Sequence, residues 1–323
     1  MAALVTEVDD YRFSPEHLDI ARRRPGISAF MRIRDGAFSL EAAIRSHIAH
    51  FDEIVAVYNR STDATPEILA RLAGEFGPRL KVFHYLPPVF PPGSSGHARE
   101  PATSPLSLVN YYNFALSRTR CTHATKLDDD HIAIGDAMAR LAADVRAGRA
   151  ARDEMAAFSG FNLARDADGR LGLLAREPLA GNGDHWIFPV RPGTFFRRDR
   201  RFEVLQQDGL RRRFHSIAYW HLKSLKPGLG FSNYDLAQNP QSRYARRLAS
   251  LEADRAVIDL PDLAQLADPR RTLLGRLHLM GLPVPERDRI IAERGLAAMQ
   301  LFPDRRLGDV LAADAALRGF VGA

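Results

Sequence analysis

The run EIVAVY, residues 53–58, is apolar at nearly every position, so neither side-chain parity leaves a polar face. A strand of this kind must be covered on both sides, which demands helices above and below a sheet rather than one solvated face. The flanking sequence supplies them in alternation. GISAFMRI (26–33) predicts the strand before it, and FSLEAAIRSHIAHF (38–51) a helix with Leu40, Ile44 and Ile48 on one stripe, Ala43 and Phe51 beside it. STDATPEILARLAGEF (61–76) predicts a second helix, capped by Thr65, with Pro66 in its first turn and Ile68, Leu69, Leu72 and Phe76 on its buried face. LKVFHY (80–85) is a third strand, SLVNYYNFALSRT (107–119) a third helix and HATKL (123–127) a fourth strand. The expectation is an α/β chain with a parallel sheet.

Two stretches interrupt that alternation. LPPVFPPGSSGHAREPATSP (86–105) is rich in proline, glycine and serine, and a loop of this length in a compact domain is either a lid beside a site, the favoured reading, or plain disorder. KLDDDHIAI (126–134) sets three carboxylates at the carboxyl end of the fourth strand, where open α/β sheets bind ligands. On an extended chain Asp128 and Asp130 point the same way, about 6–7 Å apart, and Asp129 points opposite. Two such carboxylates suit a magnesium or manganese ion shared with a diphosphate. A solvated helix N-terminal turn, with HIAIGDAMARLAADV as the helix, explains the acids equally well from the residues alone.

Beyond the acids, MAAFSGFNLARDADGRLGLLAR (155–176) predicts a hairpin turning at residues 166–169, which makes the sheet mixed. AGNGDHWIFPVRPG (180–193) places Asp184, His185 and Trp186 in a glycine-flanked loop. The loop suits an acceptor, since an acid can bind hydroxyls and an aromatic ring can stack on a sugar face, and a loop anchored by a buried Trp186 explains it as well. From about residue 243 the chain turns to arginine-rich helical segments broken by Pro261, Pro269, Pro283 and Pro285. The expected division is a catalytic domain over 1–242, with halves at 26–134 and 151–242, and a helical appendage over 243–323.

MRIRDGAFSLEAAIRSHIAHFDEIVAVYNRSTDATPEIL (31–69), YYNFAL (111–116) and ATKLDDDHI (124–132) together resemble the nucleotide-sugar domain of family 2 glycosyltransferases with the GT-A fold, a Rossmann-like mixed sheet flanked by helices. The resemblance extends over residues 26–134 and, less closely, 190–221, and it does not reach the tail. It implies that Asp128 and Asp130 fill an aspartate-any-aspartate motif, Asp130 on a manganese or magnesium ion and Asp128 near the donor ribose and the metal shell. His131 stands where the family often has a further acid. Arg32, Asn59, Asp63, Asn113 and Lys126 fall among the implied donor contacts. Asn59 replaces an acid expected at the nucleobase, and Tyr112 replaces an arginine expected before Asn113. Asp208 matches the catalytic base, with Gln207 in place of a paired acid and Glu203 as the alternative base. His221, in YWHLKSLKPG (219–228), resembles the late histidine that completes the metal shell.

Composition narrows the partners. The chain has 323 residues, 46% of them hydrophobic, enough for a substantial core, and its single cysteine, Cys121, forms no internal disulfide. A formal net charge of +6 suits anionic partners such as nucleotides, phosphates or an acidic lipid surface. No zinc-finger spacing or aromatic RNA-binding signature favours nucleic acid. No segment is apolar enough to span a bilayer and no leader is visible, so a cytoplasmic protein is expected, with its basic C-terminal region suited to peripheral contact at the inner membrane face. The expected reaction is metal-dependent, inverting transfer of a sugar from a nucleotide-diphosphate donor to the hydroxyl of a saccharide or lipid-linked acceptor. Polysaccharide, lipopolysaccharide or glycolipid synthesis is its setting. A sugar nucleotidyltransferase and a non-catalytic nucleotide-sugar or carbohydrate binding module are the rival readings.

Overall fold

The computed structural model describes residues 5–149, 153–199, 203–206 and 209–321, and for residues 182–184 the backbone alone. In chain order, β1 (Thr6–Val8) and β2 (Arg24–Ile33) lead through α1 (Leu40–His47) to β3 (Glu53–Tyr58), and through α2 (Thr65–Phe76) to β4 (Leu80–Tyr85). A short helix α3 (Ser95–Arg99) lies within the proline-rich stretch, and α4 (Leu108–Ser117) precedes β5 (Cys121–Lys126). The acids are followed by a three-residue strand β6 (His131–Ala133) before α5 (Gly135–Arg146) starts, so the helix expected directly after them is set back by one strand. Then come β7 (Glu154–Arg165), β8 (Leu171–Leu174), β9 (Leu179–Pro189), β10 (Phe196–Arg198), β11 (Glu203–Leu205) and β12 (Arg211–His221). The tail carries α6 (Arg243–Ala253), β13 (Val257–Ile258), α7 (Leu260–Leu266), α8 (Leu273–Leu279), α9 (Glu286–Leu301), α10 (Leu307–Ala313) and α11 (Arg318–Val321).

The main sheet runs β1-β4-β3-β2-β5-β9-β7-β12-β6, with β8 and β13 attached beside β7. β1, β4, β3, β2 and β5 pair in parallel, whereas β9 is antiparallel to both β5 and β7. This is the mixed, helix-flanked α/β architecture expected from the sequence. Strand order reverses between β2 and β5, the crevice where doubly wound sheets bind ligands.

β3 shows why the sequence folds this way. Val55 and Val57 pack under α4 with Phe30, Phe114 and Phe188, while Ile54 and Ala56 pack on the opposite face with Leu40, Ile44, Leu69 and Leu72. Burying a side chain of this size stabilises the fold by about 1.5–3 kcal/mol, so a polar substitution on either face would be felt. Glu53, the one charged residue of β3, is fully buried, and Ser28 Oγ, Lys81 Nζ and the Arg120 amide all donate to it.

One expected cap is corrected. Thr65 is the first residue of α2 rather than its cap. Asp63 Oδ1 accepts from the Thr65 amide at 3.0 Å, and Thr65 Oγ1 accepts from the Gly36 amide at 2.8 Å. The tail helices, expected as an appendage, share a core with the sheet. Leu260, Leu263, Ile290, Leu307 and Leu311 cluster with Phe161 and Trp220, and the Phe302 ring stacks on Trp220 at 5.7 Å.

Candidate active site

A cleft of about 2070 Å³ opens at the carboxyl ends of β2 and β5. Arg32, Lys126, Asp128, Asp129, Asp130, His131, His185 and His221 share its wall with the rim residues Phe90, Pro91 and Pro92. The proline-rich stretch therefore borders the cleft, as a lid would. Ser94 Oγ caps α3 by accepting from the His97 amide, and a Cβ on Gly96 would collide with the Phe90 ring, so this segment is packed on itself.

The three acids meet three different environments. Asp128 Oδ2 accepts from Lys126 Nζ at 2.7 Å, and Asp129 Oδ2 accepts from Lys226 Nζ at 2.8 Å. Asp130 has neither close lysine: Lys226 Nζ is 3.9 Å away, and the nearest other groups are His221 Nε2 at 3.7 Å and His131 Nε2 at 3.8 Å. Burial pushes the Asp128 carboxyl up, but Lys126 and then the nearby histidines and Arg32 outweigh it and hold Asp128 well below the usual carboxylate range. Asp129 goes the other way. Burial, opposed by Lys226 and reinforced by Asp130, raises it to about 7.

His131 sits between the two motif acids. Its Nε2 lies 3.9 Å from Asp128 Oδ2 and 3.8 Å from Asp130 Oδ1, is buried, and has no hydrogen-bond partner. The ring is 2% exposed and stacks on Tyr219 with centroids 3.9 Å apart. Burial first, then His185, keeps it neutral by lowering its pKa well below the ordinary imidazole value. An uncharged, buried nitrogen without a proton partner, flanked by two carboxylates, is a donor set that suits a divalent cation.

The late histidine is placed opposite. β12 pairs antiparallel with β6 so that His221 faces His131, and pairs in parallel with β7 so that His221 faces Asn162. The Asn162 amide nitrogen donates to the Glu177 carbonyl at 2.7 Å, which turns its oxygen toward His221 Nδ1 at 2.6 Å. With Nδ1–H donating to that oxygen, the assigned tautomer leaves His221 Nε2 as a lone pair aimed at Asp130. Burial, only partly offset by Asp130, lowers His221 to about 4, so this ring too is neutral at pH 7. The ligand atoms of Asp130, His131 and His221 lie within 4.8 Å of one another, as do those of Asp128, His131 and His185.

Several expected contacts are used differently. Asn59 donates through its amide to the carbonyls of Tyr85 and Pro87, and both ends of the Asn113 amide are taken by the Phe196 backbone, at 2.9 and 2.7 Å. Asp63 accepts from the amides of Ala37 and Thr65, and Ser61 accepts from the Asp35 amide. Asp63 and Ser61 thus clasp the loop after β2, while Asn59, in the cleft wall, and Asn113 hold the chain at the end of β4 and at β10. The clasp matters indirectly: a Cβ on Gly36 would lie 2.6 Å from Asp129 Oδ2, so the clasped loop abuts the acidic turn. Arg32 does face the cleft. Its guanidinium lies 3.1 Å from the Tyr112 ring centre and its Nε is buried without a hydrogen bond, so Tyr112, at the expected arginine position, carries an arginine from the neighbouring strand.

The expected acceptor trio is split by strand parity. His185 joins His131 and Tyr219 in an aromatic cluster, while Trp186 packs partly buried on the opposite face of β9. Trp186 is therefore a packing residue, and the Asp184 side chain lies outside the described residues. Asp208 and Gln207 also lie outside them. Glu203 lines the cleft with Oε1 3.6 Å from His97 Nε2, a link between β11 and the lid.

No protein-family model matches the chain, and no curated protein matches its sequence. Among solved structures, the glucosyl-3-phosphoglycerate synthase of Mycobacterium tuberculosis in complex with Mg2+ and UDP is similar at 18% identity and a TM-score of 0.30, over 49% of this chain and 51% of that one. The same enzyme with Mn2+ and UDP-glucose is similar at 16% identity and a TM-score of 0.29, over 50% and 52% of the respective chains. A structure described as a mycobacterial protein matches at 20% identity and a TM-score of 0.28, over 46% of this chain and 45% of the other. The chain thus spans about half the length of the solved structures it matches. The strand order and its switch point define the fold.

Proposed function

We propose that the chain is a metal-dependent glycosyltransferase that moves a sugar from a nucleotide-diphosphate donor to an acceptor hydroxyl with inversion. The observation that carries this reading is the buried, unpartnered Nε2 of His131 between Asp128 and Asp130 at the strand-order switch. Asp128, Asp130, His131 and His221 would hold manganese or magnesium. A bound ion supplies Lewis-acid stabilisation of the diphosphate leaving group. Arg32, stacked on Tyr112, and Lys126 give that wall of the cleft the positive potential a diphosphate requires. Asp208 or Glu203 takes the proton from the acceptor hydroxyl as its oxygen attacks the anomeric carbon. The nucleoside diphosphate leaves from the opposite face.

The acceptor class we favour is a saccharide or a lipid-linked saccharide of cell-surface polysaccharide, lipopolysaccharide or glycolipid synthesis. The volume of the cleft, about 2070 Å³, and the basic residues in its wall, Arg176, Arg246 and Arg271 among them, support an acceptor larger than a single sugar. Transfer assays over a panel of nucleotide sugars, paired with calorimetric titration of manganese, test the reading. Asp130→Ala should abolish both ion binding and transfer and leave the melting temperature within a few degrees of wild type. Full transfer by that variant in excess chelator would refute the metal role, and release of pyrophosphate from a nucleoside triphosphate would favour the nucleotidyltransferase.

A further inference from the structure

Eleven large apolar side chains are exposed among the described residues, and seven of them fall between the end of α7 and the middle of α9. Scattered exposed leucines are ordinary, but this concentration in one short segment marks a surface. Leu273 is 65% exposed and Met280 73%. With Leu277 between them, they recur at helical spacing along one stripe of α8 and its C-terminal residue. Leu282 follows in the turn, 46% exposed.

The scaffold beneath holds these side chains outward. A Cβ on Gly275 would strike the Pro269 carbonyl and one on Gly295 the Ala267 carbonyl, so α8 and α9 are pressed against the segment after α7 with no room to roll. Exposed arginines are interleaved with the apolar stripe. Arg276 and Arg287 have no acidic partner among the described residues. Leu266, Leu273, Leu274 and Ile291 also line the large cleft, so the patch is continuous with its mouth.

We propose that α8 and the turn at 280–282 form a monotopic contact that seats the mouth of the cleft on an anionic lipid bilayer, with the leucines and Met280 in the acyl boundary and Arg276 and Arg287 at the headgroups. Charge selects this occupant. In a twofold contact with a second copy the arginine-bearing patch would meet itself, whereas acidic headgroups neutralise it. No helix among the described residues is long and apolar enough to cross a membrane, and a surface contact requires none. The proposal deepens the glycosyltransferase reading and rests on it for the purpose of the contact, but vesicle binding is measured without turnover, so the two fail separately.

Co-sedimentation of the full chain with phosphatidylcholine vesicles, with and without about a third phosphatidylglycerol, tests it. Binding to the anionic vesicles should exceed binding to the neutral ones at least tenfold and weaken with salt. The variant Leu273→Ser/Met280→Ser/Leu282→Ser should lose at least tenfold in binding while keeping its melting temperature and its manganese affinity. Arg276→Gln/Arg287→Gln should weaken binding and flatten its salt dependence. No binding to anionic vesicles, wild-type binding by the triple serine variant, or a wild-type dimer that this variant converts to monomer would each overturn the proposal. Asp130→Ala should bind vesicles as wild type does even where it binds no ion.

Discussion

At the scale of single residues, neutrality is enforced by burial rather than by partners alone. His47, on α1, is 1% exposed, hydrogen-bonds through Nδ1 to the Ala43 carbonyl at 2.9 Å and stacks on Phe51. Burial lowers it from 6.5 to about 4. The unfolded chain therefore accepts a proton that the folded one resists. The contribution of the neutral ring is whole above pH 6.5 and is lost as pH falls toward about 4. Between about pH 7.5 and pH 5 this one group should remove about 2 kcal/mol of stability. Urea titrations at the two pH values check it: His47→Gln should lose less stability on acidification than wild type, and equal losses would remove His47 from the account. Residue chemistry was legible where geometry is local. Strand periodicity and position put Asp128 and Asp130 at the end of a strand on one face, and both line the cleft. The hydrogen bonds that the amide nitrogen of Asn59 and both ends of the Asn113 amide make to backbone of other elements leave no trace in a local pattern.

Secondary-structure elements explain what else was readable. The bounds of β3 coincide with its apolar run, since a strand buried on both faces has no other way to satisfy its side chains. β6 was missed because three residues pairing with a strand near the end of β12 carry no periodicity of their own. Parity could have split His185 from Trp186, as adjacent residues on a strand point to opposite faces. One glycine ties packing to the site: a Cβ on Gly160 would lie 2.5 Å from both the ring and the carbonyl of Tyr219, the residue on which His131 stacks. Gly160→Ala should cost about 1–3 kcal/mol and also weaken manganese binding, because the displaced Tyr219 no longer supports the imidazole. Chemical denaturation and calorimetry on the same preparation measure both, and destabilisation with unchanged ion affinity would show that the stack does not position His131.

For the molecule as a whole, the expected boundary near residue 243 marks a change of composition, not a break in packing. The arginine-rich tail looks separable in sequence because its polar faces dominate the count, yet its leucines complete the core around Phe161 and Trp220. A chain ended at residue 242 should therefore expose that surface and give no cooperative thermal transition, whereas a sharp transition at the wild-type temperature would establish an independent domain. The pairing of His131 with His221 has a consequence of its own. A one-residue slip of β6 against β12 in this ribbon would turn His131 to the far face while His221, held on β7 as well, stayed where it is, so the pair would be broken at once. Insertions or deletions near either strand end thus meet a cliff rather than a slope, and lineages that keep the ribbon should tolerate length changes only in the loops around it.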